Sequence, residues 1–215
     1  MQSKRYNYFI TSLVICLGMF LMAVIFVLMH GKTGSFLVIN QMHSPFFDVF
    51  FTWFTYFGDA WIWLPLTIYF AIWRRKYFLL IVFALLLCNF FAQFSKHVIF
   101  PDDLRPFVLL AEDFNVHTIP GVDISKRNSF PSGHTTTAFT LALIFTYLVQ
   151  RIWANVLFLL IAFGVGWSRV YQGQHFVTDV AAGMLLGMIA AFLAIGLFEK
   201  FEYQKKETIK QKPAT

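Results

Sequence analysis

The sequence predicts an all-α integral membrane protein, organised as a six-helix bundle with an interfacial amphipathic segment. Of its 215 residues, 58% are hydrophobic and 13% are charged, whereas soluble domains average about 25% charged residues. Folding of a soluble domain of this size leaves about 30% of the chain surface in water, which is too much for so apolar a composition. These observations argue against a soluble enzyme, a disordered chain or a disulfide scaffold.

Six apolar stretches are expected to cross the bilayer. The first, residues 9–29, would span about 31 Å as a helix, which matches the thickness of a hydrocarbon core. It is longer than the apolar part of a signal peptide, so we expect it to remain as an uncleaved span. The other five spans are expected at residues 58–73, 77–100, 133–148, 153–167 and 176–198.

The segments between and after these spans differ in composition. Residues 34–57 combine many Phe with Pro45 and Asp48, which is typical of an amphipathic helix lying on the membrane surface. Residues 101–130 contain eight charged residues and several Pro, which predicts a long polar loop with a short helix. We expect residues 1–199 to form a single domain and residues 200–215 a basic, solvated and frayed cytoplasmic tail.

The distribution of basic residues predicts the orientation in the membrane. Six spans place both termini on one side, and that side would carry eleven of the 17 Lys and Arg residues. Because basic residues accumulate on the cytoplasmic side, the termini are expected in the cytoplasm of a multi-pass inner-membrane protein. The 101–130 loop would then face the periplasm or exterior.

Three polar motifs interrupt the apolar background, and this topology brings all three to the outer face. Ionisable residues at membrane level are costly and therefore indicate a functional site. The motifs comprise Lys96 to Arg105 and Pro106, then Pro131-Ser132-Gly133-His134, and finally Ser168-Arg169 with His175 and Asp179.

The third motif has the composition of an activated nucleophile. His175 and Asp179 are four residues apart, so on a helix they share one face. A carboxylate that binds one imidazole nitrogen fixes the tautomer and leaves a lone pair on the other nitrogen. This pair would suit His175 to act as a nucleophile or a base.

The other motif residues suit a phosphate group. Residues 131–133 predict a helix N-terminus whose free N–H groups can bind an anion. Lys96, Arg105 and Arg169 supply positive charge, and His134 could protonate a leaving oxygen. No acidic or His cluster has the density of a two-metal phosphatase, so the sequence predicts phosphoryl transfer without a metal or other cofactor.

The three motifs resemble the signatures of the type-2 phosphatidic acid phosphatase family, membrane lipid phosphatases related to vanadium haloperoxidases. The second and third motifs match in residue type and spacing. In the first motif, eight residues separate Lys96 from Arg105, which is longer than the usual family spacing.

The resemblance implies a role for each motif residue. His175 would attack phosphorus to form a phosphohistidine, with Asp179 orienting its ring, and His134 would protonate the leaving group and then activate water. Pro131 and Ser168 would support the site. The phosphoryl oxygens would be held by Lys96, Arg105, Ser132, the Gly133 N–H and Arg169.

We therefore expect a metal-independent lipid phosphatase at the outer membrane–water interface, without nucleic acid or an obligatory protein partner. The family suggests polyprenyl pyrophosphate, phosphatidylglycerol phosphate, phosphatidic acid or lipid A phosphate as substrates. A lipid phosphotransferase using the same site remains an alternative. An anion-binding membrane transporter, from a different class, remains a second one.

Overall fold

The computed structural model describes residues 2–210, with side chains described for residues 5–208, and this part of the chain is helical without β-strands. It contains eight α-helices joined by short 3-10 and π-helical turns. They are α1 (Gln2–Asn40), α2 (Pro45–Phe54), α3 (Trp63–Ile72), α4 (Phe78–Phe94), α5 (Pro106–Leu109), α6 (Gly133–Val149), α7 (Ile152–Tyr171) and α8 (Val177–Lys210).

Four helical segments of the described chain are long and apolar enough to cross a membrane. Two shorter apolar helices, Ala60–Ile72 and Gly133–Val149, complete a set of six. These helices overlap the stretches expected from the sequence, which confirms an all-helical membrane fold, while the count of six crossings stays a prediction. The four long segments are Arg5–Asn40, Arg75–Ile99, Ile152–Tyr171 and Val177–Thr208.

Helix α6 lies at the centre of the bundle, where it packs against α1, α4, α7 and α8. Its contact with α8 is close because Gly187 presents no side chain. A Cβ at Gly187 would lie 2.8 Å from the Phe139 Cβ and 2.9 Å from the Thr136 carbonyl oxygen. Small residues at such contacts allow the backbones of membrane helices to approach each other. The close packing fixes the α6 N-terminus relative to α8.

Helix α1 extends beyond the predicted boundaries of 9–29. It is broken at Gly31, which has a φ of 73°, and then continues to Asn40. The continuation is stabilised by buried contacts, since the Asn40 side-chain N–H groups donate to the carbonyls of Tyr171 (2.8 Å) and His117 (2.9 Å). Residues 34–40 therefore belong to α1, and the helix expected in the 34–57 segment is α2.

The 101–130 segment is the predicted long loop with one short helix, α5. It is attached to the bundle by a polar network at the end of α7. The Tyr171 hydroxyl donates to Asp48 Oδ1 (2.5 Å), and His117 Nε2 lies 2.8 Å from the same oxygen. This network ties the loop and α2 to α7 beside the candidate site.

The C-terminal segment differs from the expected frayed tail. Helix α8 was expected to end near residue 198 but continues to Lys210. Glu, Lys and Gln are good helix formers, so the polar composition of this segment does not end the helix. The last part of the predicted tail, residues 211–215, lies outside the described residues.

Candidate active site

A cavity of about 670 Å³ lies where the predicted polar motifs meet. Its walls come from the end of α2 and the turns that follow it, the end of α4, the 101–130 loop, the start of α6 and the junction of α7 with α8. We call it the central cavity. The sequence-predicted residues that line it are Lys96, Arg105, Gly133, His134, Arg169 and His175.

His175 is held by Asp179 at the base of the central cavity. His175 Nδ1 lies 3.4 Å from Asp179 Oδ2, and both residues are 1% exposed. The same carboxylate oxygen accepts hydrogen bonds from the Ser129 hydroxyl (2.6 Å) and the Phe176 N–H (3.0 Å). A carboxylate fixed in this way orients the imidazole and leaves its Nε2 for a substrate.

The charges around His175 favour its neutral form. Burial lowers the pKa of His175 well below its usual 6.5, and the cations of Arg105, Lys96 and Arg169 lower it further. A neutral imidazole keeps a lone pair at neutral pH. The surroundings therefore suit a nucleophile that faces an anionic group.

Gln174 joins the two arginines of the site. Its Oε1 accepts from Arg105 Nη1 at 2.9 Å and also from Arg169 Nη2. Arg169 Nη1 donates to Thr55 Oγ1 at 2.8 Å. The Arg169 Nε–H is buried and has no hydrogen-bond partner among the described residues. An oxyanion in the central cavity would meet the two guanidinium groups that Gln174 joins.

Lys96 reaches the site despite the long spacing of the first motif. It lies in a π-helical turn, Ser95–Ile99, that follows α4. Its Nζ is 3.8 Å from the position that a Cβ on Gly133 would occupy. Because Gly133 has no side chain, the ammonium group and the α6 N-terminus face the same space. An anion bound there would contact both.

Three predicted residues shape the backbone around the central cavity. The Ser132 hydroxyl caps α6 by accepting from the Thr135 hydroxyl (2.8 Å) and N–H (3.4 Å), and Ser132 does not line the cavity. Pro131 is buried directly before it. The Ser168 hydroxyl donates to the Val165 carbonyl within α7 (2.7 Å). A direct phosphate contact by Ser132 therefore stays a prediction.

Asp59 is a site residue that the sequence analysis missed. Its Oδ2 lies 3.6 Å from His134 Nε2, and its Oδ1 accepts from the Trp61 N–H at 3.2 Å. The contact with His134 lowers the pKa of Asp59 to about 2, against the opposing effect of partial burial and with help from the Trp61 N–H. This carboxylate would stabilise a protonated His134.

Other supporting residues were also missed, and their sequence signals differ. Gln172 and Gln174 lie between Arg169 and His175. Two amide side chains inside the third motif could have been recognised as candidate site residues from the sequence. Gln172 Nε2 donates to the Phe51 carbonyl (2.8 Å), which ties α2 to this turn. Ser129 and Thr55 lie outside the motifs and carry no comparable sequence signal.

These features define a class, namely helical membrane proteins with a buried His–Asp pair and a cluster of cationic side chains around one cavity. The chain belongs to the PAP2 superfamily, whose model matches residues 77–203. This match contains all three motifs and confirms the resemblance inferred from them.

Two solved structures are similar over most of their length. Aquifex aeolicus LpxE is 33% identical and has a TM-score of 0.65, with 75% of this chain and 92% of that chain covered. A transmembrane PAP2-type phosphatidylglycerolphosphate phosphatase from Bacillus subtilis is 26% identical with a TM-score of 0.61. In that comparison the coverage is 88% of this chain and 96% of the other.

Several matches to curated relatives are shorter. An undecaprenyl-diphosphatase from Sulfolobus acidocaldarius is 30% identical, and the match covers 65% of this chain and 65% of the relative. For two others, from Escherichia coli and Bacillus licheniformis, the chain spans about half of their length.

Proposed function

We propose that this protein is a metal-independent lipid phosphatase that hydrolyses a phosphomonoester or pyrophosphate through a phosphohistidine. The observation that carries the proposal is the buried pair of His175 and Asp179 in one cavity with Arg105, Arg169 and Lys96. These three cations are positioned to neutralise a phosphate group without recourse to a metal ion.

In the first half of the reaction, His175 Nε2 attacks phosphorus as the bond to the leaving oxygen breaks. His134 donates a proton to that oxygen, which leaves as an alcohol or a lipid monophosphate. Charge builds up on the phosphoryl oxygens in the transition state. The two guanidinium groups, the Lys96 ammonium and the Gly133 N–H would stabilise this charge.

In the second half, His134 accepts a proton from a water molecule that attacks the phosphohistidine. The P–N bond breaks, inorganic phosphate is released and His175 regains its lone pair. Asp59 would stabilise the imidazolium form of His134, which the first step consumes and the second step regenerates. The proton balance therefore closes over one turnover.

The surroundings of the site support a lipid substrate. The central cavity lies at the ends of apolar helices, where we expect the headgroups of membrane lipids. Two relatives are named for a phosphatidylglycerolphosphate and an undecaprenyl diphosphate. We propose the same chemical group of substrates here, together with phosphatidic acid and lipid A phosphate. The excess of basic residues on the side of the termini supports an inner-membrane location with the site facing outward.

The test is phosphate release by the purified protein in detergent from these four lipid phosphates, with and without EDTA and vanadate. We expect turnover that survives EDTA, is blocked by vanadate and is lost in His175→Ala. Full activity of His175→Ala would refute the mechanism. Transfer of the phosphoryl group to an added alcohol in place of water would identify a phosphotransferase, and binding without turnover would favour a transporter.

A further inference from the structure

An apolar groove of about 690 Å³ runs along one face of α2 and the turn that follows it. Its aromatic rings form a continuous surface. Phe50 stacks on Phe54 with a ring-centroid separation of 5.0 Å, and Phe46 stacks on Phe50 at 6.3 Å. We call this feature the phenylalanine groove, and it is lined by Phe46, Val49, Phe50, Trp53, Phe54 and Phe57.

Helix α2 is a wall between this groove and the central cavity. Phe51 packs on the Tyr171 ring at 4.8 Å and so fixes α2 to α7. Thr52 lines the central cavity on a second face. On the groove face, Phe46 and Trp53 are 72% and 70% exposed. Other apolar residues of this membrane chain are equally exposed, such as Leu28 (79%) and Ile152 (72%), so the phenylalanine groove is distinguished by its position beside the central cavity.

A smaller pocket lies between the phenylalanine groove and the central cavity and shares lining residues with each. It shares Tyr56 and Asp59 with the central cavity, and it shares Trp53 and Phe57 with the phenylalanine groove. A molecule could therefore contact His134 and its partner Asp59 at one end and the Phe rings at the other. The complete wall of this smaller pocket consists of Trp53, Tyr56, Phe57, Asp59, Trp61 and Ile62.

We propose that the phenylalanine groove binds the hydrocarbon chain of the lipid phosphate whose headgroup lies in the central cavity. This inference rests on the proposed function and extends it to the substrate's apolar part. A lipid phosphate fits both neighbouring surfaces. The central cavity offers three cations for its phosphate, and the phenylalanine groove offers six apolar side chains for its hydrocarbon chain. The length of α2, about 15 Å, would contact a long chain but leave a short chain largely unbound.

The test compares substrates that differ only in chain length. Long-chain and short-chain phosphatidic acids form one pair, and undecaprenyl and farnesyl pyrophosphate form another. We expect the Phe46→Ser/Phe50→Ser double variant to lower kcat/KM about tenfold for the long-chain member, because two aromatic contacts are lost. For the short-chain member we expect a change of less than about twofold.

Phe192→Ser provides the matched control. Phe192 is 48% exposed on α8, compared with 42% for Phe50, and it lines neither cavity nor groove. It should leave both substrates unaffected. An equal loss for short and long chains, no loss for either, or the same loss in Phe192→Ser would overturn the groove assignment.

Cross-linking gives a second readout that does not depend on kinetics. A long-chain phosphatidic acid with a photoreactive group in its tail should label residues 46–57, and excess unlabelled substrate should suppress the labelling. Equal labelling by a phosphate-free lipid would show ordinary membrane lipid at this surface, and a cross-linked dimer would show a second copy of the chain. Either result would contradict the assignment. Absence of phosphate release from every substrate by the wild-type protein would instead refute the proposed function.

Discussion

Asp59→Asn tests whether His134 is the acid and base of the reaction. Asn caps the turn at Trp61 as well as Asp does, so the substitution removes charge while preserving the local fold. At the 3.6 Å separation from His134, an effective dielectric of about 20 gives about 4.6 kcal/mol for a full ion pair. The two side chains are 25% and 28% exposed, and screening by water reduces this to about 1–2 kcal/mol.

We therefore expect Asp59→Asn to lower kcat about 5- to 30-fold. The carboxylate favours protonated His134, so its removal should move the basic limb of the kcat–pH profile to lower pH. The assay is phosphate release measured across pH 4–9. Asp102→Asn is the control, since Asp102 is exposed and pairs with Arg127 at the surface. Unchanged kcat and an unchanged pH profile in Asp59→Asn would refute this role.

Three further substitutions test the rest of the site. Lys96→Ala should lower kcat/KM about 10- to 100-fold through the loss of a charge-assisted contact with phosphate, whereas unchanged kinetics would remove Lys96 from the site. Gln174→Leu should raise KM about tenfold, because both arginines lose their shared acceptor; an unaltered KM would contradict this. Gly58→Ala should lower the thermal unfolding midpoint in detergent, with a cost of about 1–3 kcal/mol, since its Cβ would lie 2.6 Å from the His134 carbonyl oxygen. Gly18→Ala, with open space around it, should leave the midpoint unchanged or raised, and equal effects of the two would contradict the packing argument.

The convergence of the three motifs could be predicted because it depends on topology alone. Lys96, His134 and His175 each lie at the end of an apolar stretch, and six stretches place all three ends on one face. The structure brings them to one cavity. The π-helical turn that directs Lys96 toward Gly133 could not be predicted, because such a turn has no clear sequence signature.

The contacts that support these residues could not be predicted in the same way. Asp59 precedes His134 by 75 residues, and their contact depends on how the turn before α3 packs on α6. Thr55 reaches Arg169 across 114 positions. Such long-range pairs follow from tertiary packing and leave no periodic pattern in a single sequence.

Helix ends were the least predictable part of the fold. The apolar run that predicted the first span ends at residue 29, yet α1 continues past a break at Gly31 to Asn40, whose buried contacts stabilise the extension. The polar residues after position 198 suggested a frayed tail, but their helix propensity continues α8 to Lys210. Composition indicates where a helix leaves an apolar environment, which differs from where the helix ends.

The most direct test of the central claim is to trap the covalent intermediate. The enzyme is mixed with a lipid phosphate carrying labelled phosphorus, quenched in alkali within milliseconds, and digested for mass spectrometry. We predict an acid-labile phosphoryl group on His175 of the wild-type protein and its absence from His175→Ala. Label on another residue, or turnover in His175→Ala at the wild-type rate, would contradict the account.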